Sequence, residues 1–172
     1  MSLGDLKDAL VRCGAVRRGH FTLTSGRESD YYIDIKRAST QPAILGEIAH
    51  QMASLTRGAD RLAGMEFGAV PIVVALSMET GIPFVIVRKR MRGHGAGQRV
   101  EGDIREGETM IIVEDVTTTG GTILEVARVL RALGIRVDRA LTVVDREEGA
   151  KEMLSDHGVA LVPLVSAKEL LG

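Results

Sequence analysis

Short apolar segments alternate with amphipathic segments along most of the chain, and this alternation predicts the secondary structure. Continuous apolar runs such as FVIV and MIIV favour buried strands, because neither face of the strand carries a polar residue. Apolar residues at helical spacing, followed by glycine, predict helices. Together these patterns predict strands at Tyr31–Ile35, Arg61–Met65, Phe84–Val87, Met110–Val113, Val137–Val144 and Val159–Val162, and helices at Leu3–Cys13, Pro42–Leu55, Ala69–Thr80, Thr122–Leu133 and Ala150–His157.

Strands that are apolar on both faces and separated by helices predict an α/β fold with a parallel central sheet flanked by helices. Two stretches are predicted to be irregular: the polar His20–Ser29 and the basic, glycine-rich Arg88–Gly102. Ligands of such sheets bind beyond the carboxyl ends of the strands. The segments in that position are Glu66–Ala69, Arg88–Gly102, Glu114–Thr122 and Asp145–Glu148.

Composition narrows the class of protein. A chain of 172 residues favours one domain, spanning 1–172. The net charge of −1 and the aromatic content of 3% argue against nucleic-acid binding by bulk charge or base stacking. Cys13 is the only cysteine, which fits a reducing compartment. No apolar run approaches the roughly 18 residues of a membrane span, so we expect no membrane association and a cytoplasmic location.

The segment MIIVEDVTTTGGTI, Met110–Ile123, carries the strongest chemical signal. An apolar strand delivers the adjacent acids Glu114 and Asp115, and a threonine and glycine turn leads into a helix. A helix start offers unpaired N–H groups to a phosphate, and glycine allows close approach. Adjacent carboxylates would repel a polyphosphate but accept hydrogen bonds from vicinal sugar hydroxyls. The segment is predicted to bind a ribose 5-phosphate; the alternative is a polar turn capped by threonine.

Cations concentrate in the glycine-rich stretch after the FVIV strand, namely Arg88, Lys89, Arg90, Arg92, His94 and Arg99. A flexible basic loop can cover an anion and neutralise the charge that develops on a departing diphosphate. Closure would exclude water, and His94 could carry a proton near neutral pH. The alternatives are a solvated basic loop and a nucleic-acid patch.

Arg146 follows the strand at Val137–Val144. A bidentate arginine suits a planar carboxylate, although surface pairing with the neighbouring acids Asp145, Glu147 and Glu148 explains it equally well from the residues alone. His20, His50 and His157 do not lie at metal-ligand spacing with acids and are predicted to be structural. Tyr31 and Tyr32 could pack or line a base site.

The segment IIVEDVTTTGGT resembles the donor-binding signature of the type I phosphoribosyltransferases, and other segments are similar to orotate phosphoribosyltransferase. These are FTLTSGRESDYYID at Phe21–Asp34, GMEFGAVPI at Gly64–Ile72, RKRMRGHG at Arg88–Gly95 and VEG at Val100–Gly102. The resemblance implies a type I phosphoribosyltransferase fold with N-terminal hood elements over about 1–40 and a core over about 41–165. It implies transfer of ribose 5-phosphate from 5-phosphoribosyl 1-diphosphate (PRPP) to orotate in pyrimidine biosynthesis. It also implies Mg²⁺ bound mainly through PRPP, and a homodimer that shares loop residues across its interface.

The resemblance assigns roles by position, with no protein ligand to the metal. Catalytic roles fall on Lys89, His94 and Asp115, and orotate binding falls on Thr118 and Arg146. PRPP binding falls on Arg88, Lys89, Arg92, His94, Glu114, Asp115, Val116, Thr117, Thr118, Thr119, Gly120, Gly121 and Thr122.

The chain departs from the pattern at two places. Some relatives carry a lysine at the position of Thr24, where Arg27 is the nearest cation, and some carry one just before GxP, where this chain has Phe67 and Gly68. Two other functions remain open: a purine-type phosphoribosyltransferase and a non-catalytic regulator that senses PRPP.

Overall fold

A computed structural model describes residues 3–22, 28–89 and 99–172, which form two sheets and the helices around them. The helices are α1 (Leu3–Arg12), α2 (Ile35–Ser39), α3 (Pro42–Ala53), α4 (Ala69–Thr80), α5 (Gly121–Arg131), α6 (Ala150–Asp156) and α7 (Ala167–Leu171), with a 3₁₀ turn at Ser54–Thr56. The strands are β1 (Val16–Thr22), β2 (Glu28–Ile33), β3 (Arg61–Met65), β4 (Phe84–Val87), β5 (Val100–Glu101), β6 (Thr109–Thr117), β7 (Arg136–Asp145) and β8 (Ala160–Ser166).

The larger sheet has the strand order β5-β4-β3-β6-β7-β8. Strands β3, β4, β6, β7 and β8 run parallel, and the short β5 pairs antiparallel with β4. This arrangement confirms the predicted α/β fold with a mostly parallel central sheet. Because β4, β3, β6 and β7 are neighbours in the sheet and run parallel, their carboxyl ends lie along one edge.

Burial on both faces explains why β6 begins as a continuous apolar run. Ile111 and Val113 pack into the apolar cluster beneath α1, α3 and α4, whereas Met110 and Ile112 pack into the cluster beneath α5 and α6. Successive side chains of a strand point to opposite faces, so a strand covered on both sides needs apolar residues at every position. The same pattern makes β6 the shared wall of the two cores.

Strands β1 and β2 form an antiparallel hairpin outside the main sheet, so the prediction that His20–Ser29 is irregular was wrong at both of its ends, whereas the strand predicted at Tyr31–Ile35 overlaps β2. His20–Thr22 belong to β1, and Glu28 and Ser29 belong to β2; residues 23–27 lie outside the described part of the chain. The strand β1 is polar and exposed at most positions, so it carries no apolar signal. Its cross-strand support is an Arg17, Phe21 and Tyr32 cluster, with the arginine 5.5 and 5.2 Å from the two ring centres.

The structure also corrects several boundaries. Strand β6 continues four residues past Val113, to Thr117, because its polar end keeps pairing with β7 up to Asp145. Helix α5 begins at Gly121, not at Thr122. The pattern did not predict α2, β5 or α7, which span five, two and five residues. No helix in the described ranges is long and apolar enough to span a bilayer.

Candidate active site

Loops that follow β3, β4 and β6 meet at the carboxyl edge of the main sheet and enclose two adjoining clefts. The acidic cleft has a volume of about 450 Å³ and is lined by Lys36, Met65, Glu66, Phe67, Gly68, Lys89, Glu114, Asp115, Val116, Thr122 and Glu125. The threonine cleft has a volume of about 270 Å³ and is lined by Glu114 and Val116 to Ile123. Glu114, Val116 and Thr122 line both clefts, so a single elongated ligand could occupy the two together.

Glu114 and Asp115 lie at the polar end of β6. Oε1 of Glu114 accepts a hydrogen bond from the Asp115 backbone N–H at 3.1 Å, and Oδ1 of Asp115 accepts one from the Val116 N–H at 2.8 Å. Within the described residues neither carboxylate forms an ion pair. Their remaining lone pairs are therefore available at the acidic cleft to accept hydrogen bonds from hydroxyl groups.

Burial dominates the electrostatics of Glu114, which is only 7% exposed. Removal from water raises the pKa of Glu114 well above its usual range, and the neighbouring Asp115 raises it further. The sequence predicted two adjacent carboxylates here as partners for sugar hydroxyls. The structure distinguishes a deeply buried Glu114, which gains a proton easily, from a half-buried Asp115.

Gly68 provides the room that Asp115 needs. A Cβ added to Gly68 would lie 2.2 Å from Oδ2 of Asp115 and 2.6 Å from its Cγ. The loop between β3 and α4, which contains the cis peptide bond Glu66–Phe67, therefore contacts the end of β6 directly. The sequence placed this loop near the site, but only the structure shows which side chain it touches.

The threonine cleft lies over the start of α5. Gly120 precedes the helix at φ +82, and a Cβ there would lie 2.7 Å from Met153 Cε. Because Gly120 has no side chain, the first N–H groups of α5 have no side-chain cap. Uncapped N–H groups at the start of a helix can bind anions. Thr117 is buried with no partner for its Oγ1 in the described chain, Thr118 is half-buried and Thr119 is exposed.

Two lysines counter the four carboxylates that line the acidic cleft. Sequence reasoning predicted Lys89 but missed Lys36, which comes from α2. Burial alone would lower the pKa of Lys36, yet its hydrogen bond to Asp34 and the charge of Asp115 raise it above the usual value. Glu66 also lines this cleft, and its Oε1 accepts a hydrogen bond from the Lys89 backbone N–H at 2.9 Å.

The remaining predicted loop cations are only partly described. Arg88 follows β4, and its Nε donates to Glu101 at 2.6 Å. Arg92 and His94 lie outside the described residues, as do Thr24 and Arg27. The three other histidines contact Glu28 and Asp30 (His20), Glu79 (His50) and the Met153 carbonyl (His157).

Arg146 is buried at the end of β7, not spread over the surface. Its Nε donates to Glu148 at 2.8 Å, and its guanidinium lies 4.6 Å from the Tyr31 ring centre. A weaker contact of 3.4 Å joins it to the Ser29 hydroxyl. The Arg146 backbone N–H donates to the Thr117 carbonyl, so this arginine links the threonine cleft to the N-terminal hairpin.

The fold and the two clefts define a phosphoribosyltransferase. The family model of the phosphoribosyl transferase domain matches residues 35–161, which include the end of β6, the threonine turn and both lysines of the acidic cleft.

Comparisons with individual proteins narrow the family. The chain is 49% identical over 169 residues to an orotate phosphoribosyltransferase of Methanosarcina acetivorans, covering 97% of this chain and 90% of the relative. The crystal structure of orotate phosphoribosyltransferase from Aeropyrum pernix superposes with a TM-score of 0.87 at 36% identity, covering 96% of each chain. The Mycobacterium tuberculosis orotate phosphoribosyltransferase in complex with PRPP gives a TM-score of 0.81 at 30% identity, covering 99% of each chain. The chain belongs to the orotate phosphoribosyltransferase family.

We expect Gly68→Ala to impair phosphoribosyl transfer by displacing the Asp115 carboxylate. Misplacement of a binding group by about 1 Å can cost on the order of 100-fold in rate. Steady-state turnover and thermal unfolding of both variants measure this. Gly46→Ala is the matched control, since Gly46 lies exposed in α3 with no atom within 4 Å of an added Cβ. Equal activities of the two variants would contradict the close contact.

We expect Glu114→Gln to gain stability over the wild type as pH rises. Between the usual value of 4.5 and its raised pKa, Glu114 is protonated in the folded chain and ionised in the unfolded chain. Wild-type stability therefore falls with pH through that window, whereas glutamine has no proton to exchange. Denaturant unfolding at pH 5 and pH 8 measures the difference, with the exposed Glu152→Gln as control. A stability difference independent of pH would argue against the raised pKa.

Proposed function

We propose that this chain transfers the 5-phosphoribosyl group of PRPP to orotate, giving orotidine 5′-monophosphate and diphosphate in pyrimidine biosynthesis. The observation that carries the proposal is the junction of the two clefts at Glu114, with carboxylates on one side and the start of α5 on the other. A ribose 5-phosphate matches both halves. Its hydroxyls donate to Glu114 and Asp115, and its phosphate accepts hydrogen bonds from the turn at Val116 to Thr122.

Diphosphate departure needs positive charge at the acidic cleft. We assign this role to Lys89 and Lys36, together with Arg88, Arg92 and His94 of the loop. Negative charge on Asp115 favours the cationic character that develops at the anomeric carbon as the bond to diphosphate opens, whereas the buried Glu114 holds the ribose by hydrogen bonds. The rate enhancement then comes from positioning and electrostatics, with no covalent intermediate formed on the protein.

Mg²⁺ fits the acidic cleft, because its lining offers carboxylate oxygens, the ligand type this ion prefers. We propose that it would bind mainly through the oxygens of PRPP, since no group of three or more metal-ligating side chains occurs among the described residues. Mg²⁺ bound in this way would supply positive charge to the diphosphate. Lys36 and Lys89 then balance the charge of the protein carboxylates.

We assign the acceptor site to the space beside Thr118 and Arg146. The guanidinium provides a planar set of donors for the carboxylate of orotate, and Glu148 and Tyr31 fix its plane. Because Tyr31 and Ser29 belong to β2, we propose that the hairpin of β1 and β2, within the predicted hood over about 1–40, covers the acceptor side of the core. We expect the enzyme to work in the cytoplasm, where its single cysteine stays reduced.

A panel of bases tests the acceptor. With PRPP and Mg²⁺, orotate is expected to release diphosphate, and adenine and hypoxanthine are not. Arg146→Gln should raise the KM for orotate by about 10-fold or more and change the KM for PRPP by less than about 2-fold, since one charge-assisted contact is worth roughly 1.5–3 kcal/mol. Arg128→Gln, an exposed arginine of α5, is the control.

Two outcomes of this panel would contradict the proposal. Turnover of a purine without turnover of orotate would indicate a purine-type phosphoribosyltransferase. PRPP binding without turnover of any base would indicate a regulator that senses PRPP.

We further propose that the chain acts as a homodimer. Two large apolar side chains near the two ends of α4 are strongly exposed: Phe67, just before the helix, at 75%, and Met78, in its last turn, at 83%. A second copy of the chain would cover them. Lys89 lines the acidic cleft of its own chain, whereas Arg88 does not line that cleft and pairs with Glu101. We therefore assign Arg88 to the site of the partner subunit.

Mixing two inactive variants tests this assignment. Arg88→Ala and Asp115→Asn, combined at equal amounts and allowed to exchange subunits, should recover about a quarter of wild-type turnover, because half the dimers carry one intact site. Lys89→Ala mixed with Asp115→Asn is the control and should show no turnover beyond the residual turnover of the two variants measured separately. Formation of mixed dimers without recovered activity would place Arg88 in its own chain's site.

A further inference from the structure

Arg99 is not a free cation of the basic loop. Its Nε and Nη2 donate to the Arg88 carbonyl at 3.1 and 3.0 Å, and Nη2 also donates to the Lys89 carbonyl at 3.3 Å. The same Nη2 contacts Oε1 of Glu125 at 2.5 Å. One guanidinium therefore joins two successive carbonyls at the end of β4 to helix α5.

Glu125, the carboxylate that Arg99 contacts, lies at the acidic cleft. It lies in the second turn of α5 and lines the acidic cleft together with Lys89. The start of the same helix forms the threonine cleft. Arg99 thus connects the segment that carries Lys89 to the helix that carries the anion-binding turn.

Lys89 is held from its other side as well. Its backbone N–H donates to Glu66 of the loop after β3, while its carbonyl accepts from Arg99. In addition, the Arg88 N–H donates to the Arg99 carbonyl at 2.7 Å, which extends the pairing of β4 and β5 by one step. The backbone of Lys89 is therefore hydrogen-bonded to Glu66 of the loop after β3 on one side and to Arg99 on the other.

We propose that Arg99 is a positioning residue, whose bonds to the carbonyls of Arg88 and Lys89 and to Glu125 hold Lys89 at the acidic cleft. This inference rests on the proposed function, in which Lys89 contacts the diphosphate of PRPP. A partly exposed ion pair contributes little to stability, so its effect should appear in turnover. Small displacements of a charged group that stabilises a transition state have large kinetic effects.

A double-mutant cycle between Arg99 and Lys89 tests the proposal. Arg99→Met should lower kcat with orotate and PRPP by about 10-fold or more in the wild-type background, and by less than about 2-fold in Lys89→Ala, because the group it positions is then absent. Arg99→Lys keeps the charge but loses the planar fork, so it should give an intermediate kcat. Arg136→Met, at the opposite end of the sheet, should match the wild type.

The outcomes separate this proposal from the one it rests on. No transfer to orotate by the wild type would overturn the proposed function itself. Transfer by the wild type, combined with an equal loss from Arg99→Met in both backgrounds or with no loss at all, would overturn the positioning role alone. Thermal unfolding checks that each variant is folded; if Arg99→Met is not, the same cycle with Arg99→Lys decides.

Discussion

The rest of the site depends on one constraint: the Glu114 carboxylate is buried at the end of the central strand β6. Glu114 is buried beside Asp115, an arrangement that disfavours its charged form and opposes folding above its usual pKa. The strand can hold it there because Met110 to Val113 pack into two apolar clusters and pin β6 between β3 and β7. Stability from the core thus maintains a locally unfavourable group where ligand chemistry needs it.

The surrounding loops compensate for this concentration of negative charge. Lys36 arrives from the N-terminal side, Lys89 from β4, and backbone N–H groups from the start of α5. These donors come from three segments that are far apart in sequence. The sheet order β4-β3-β6 brings Lys89 and the start of α5 to one edge, and α2 contacts β6 and adds Lys36, so topology determines the electrostatics of the site.

Much of this arrangement could be predicted from the sequence, and the failures have physical causes. The strands Arg61–Met65 and Phe84–Val87 match because packing within the sheet requires apolar residues, and the helix Ala69–Thr80 matches because its apolar run stops at Gly81. Strand β1 was missed because its pairing depends on Arg17 and aromatic contacts across the hairpin. The contacts of Lys36 and Arg99 were missed because their partners, Asp115, Glu125 and backbone carbonyls, are set by tertiary contacts that no local pattern records.

The tight packing around Gly120 extends the site beyond the residues that touch a ligand. Met153 and Leu154 of α6 lie against this turn and leave no space for a side chain, although none of the described residues that line the threonine cleft belongs to α6. The shape of the turn before α5 therefore depends on its packing against α6. Substitutions in α6 can consequently change the shape of the threonine cleft. A comparison of relatives restricted to the positions that line the cleft would miss this influence.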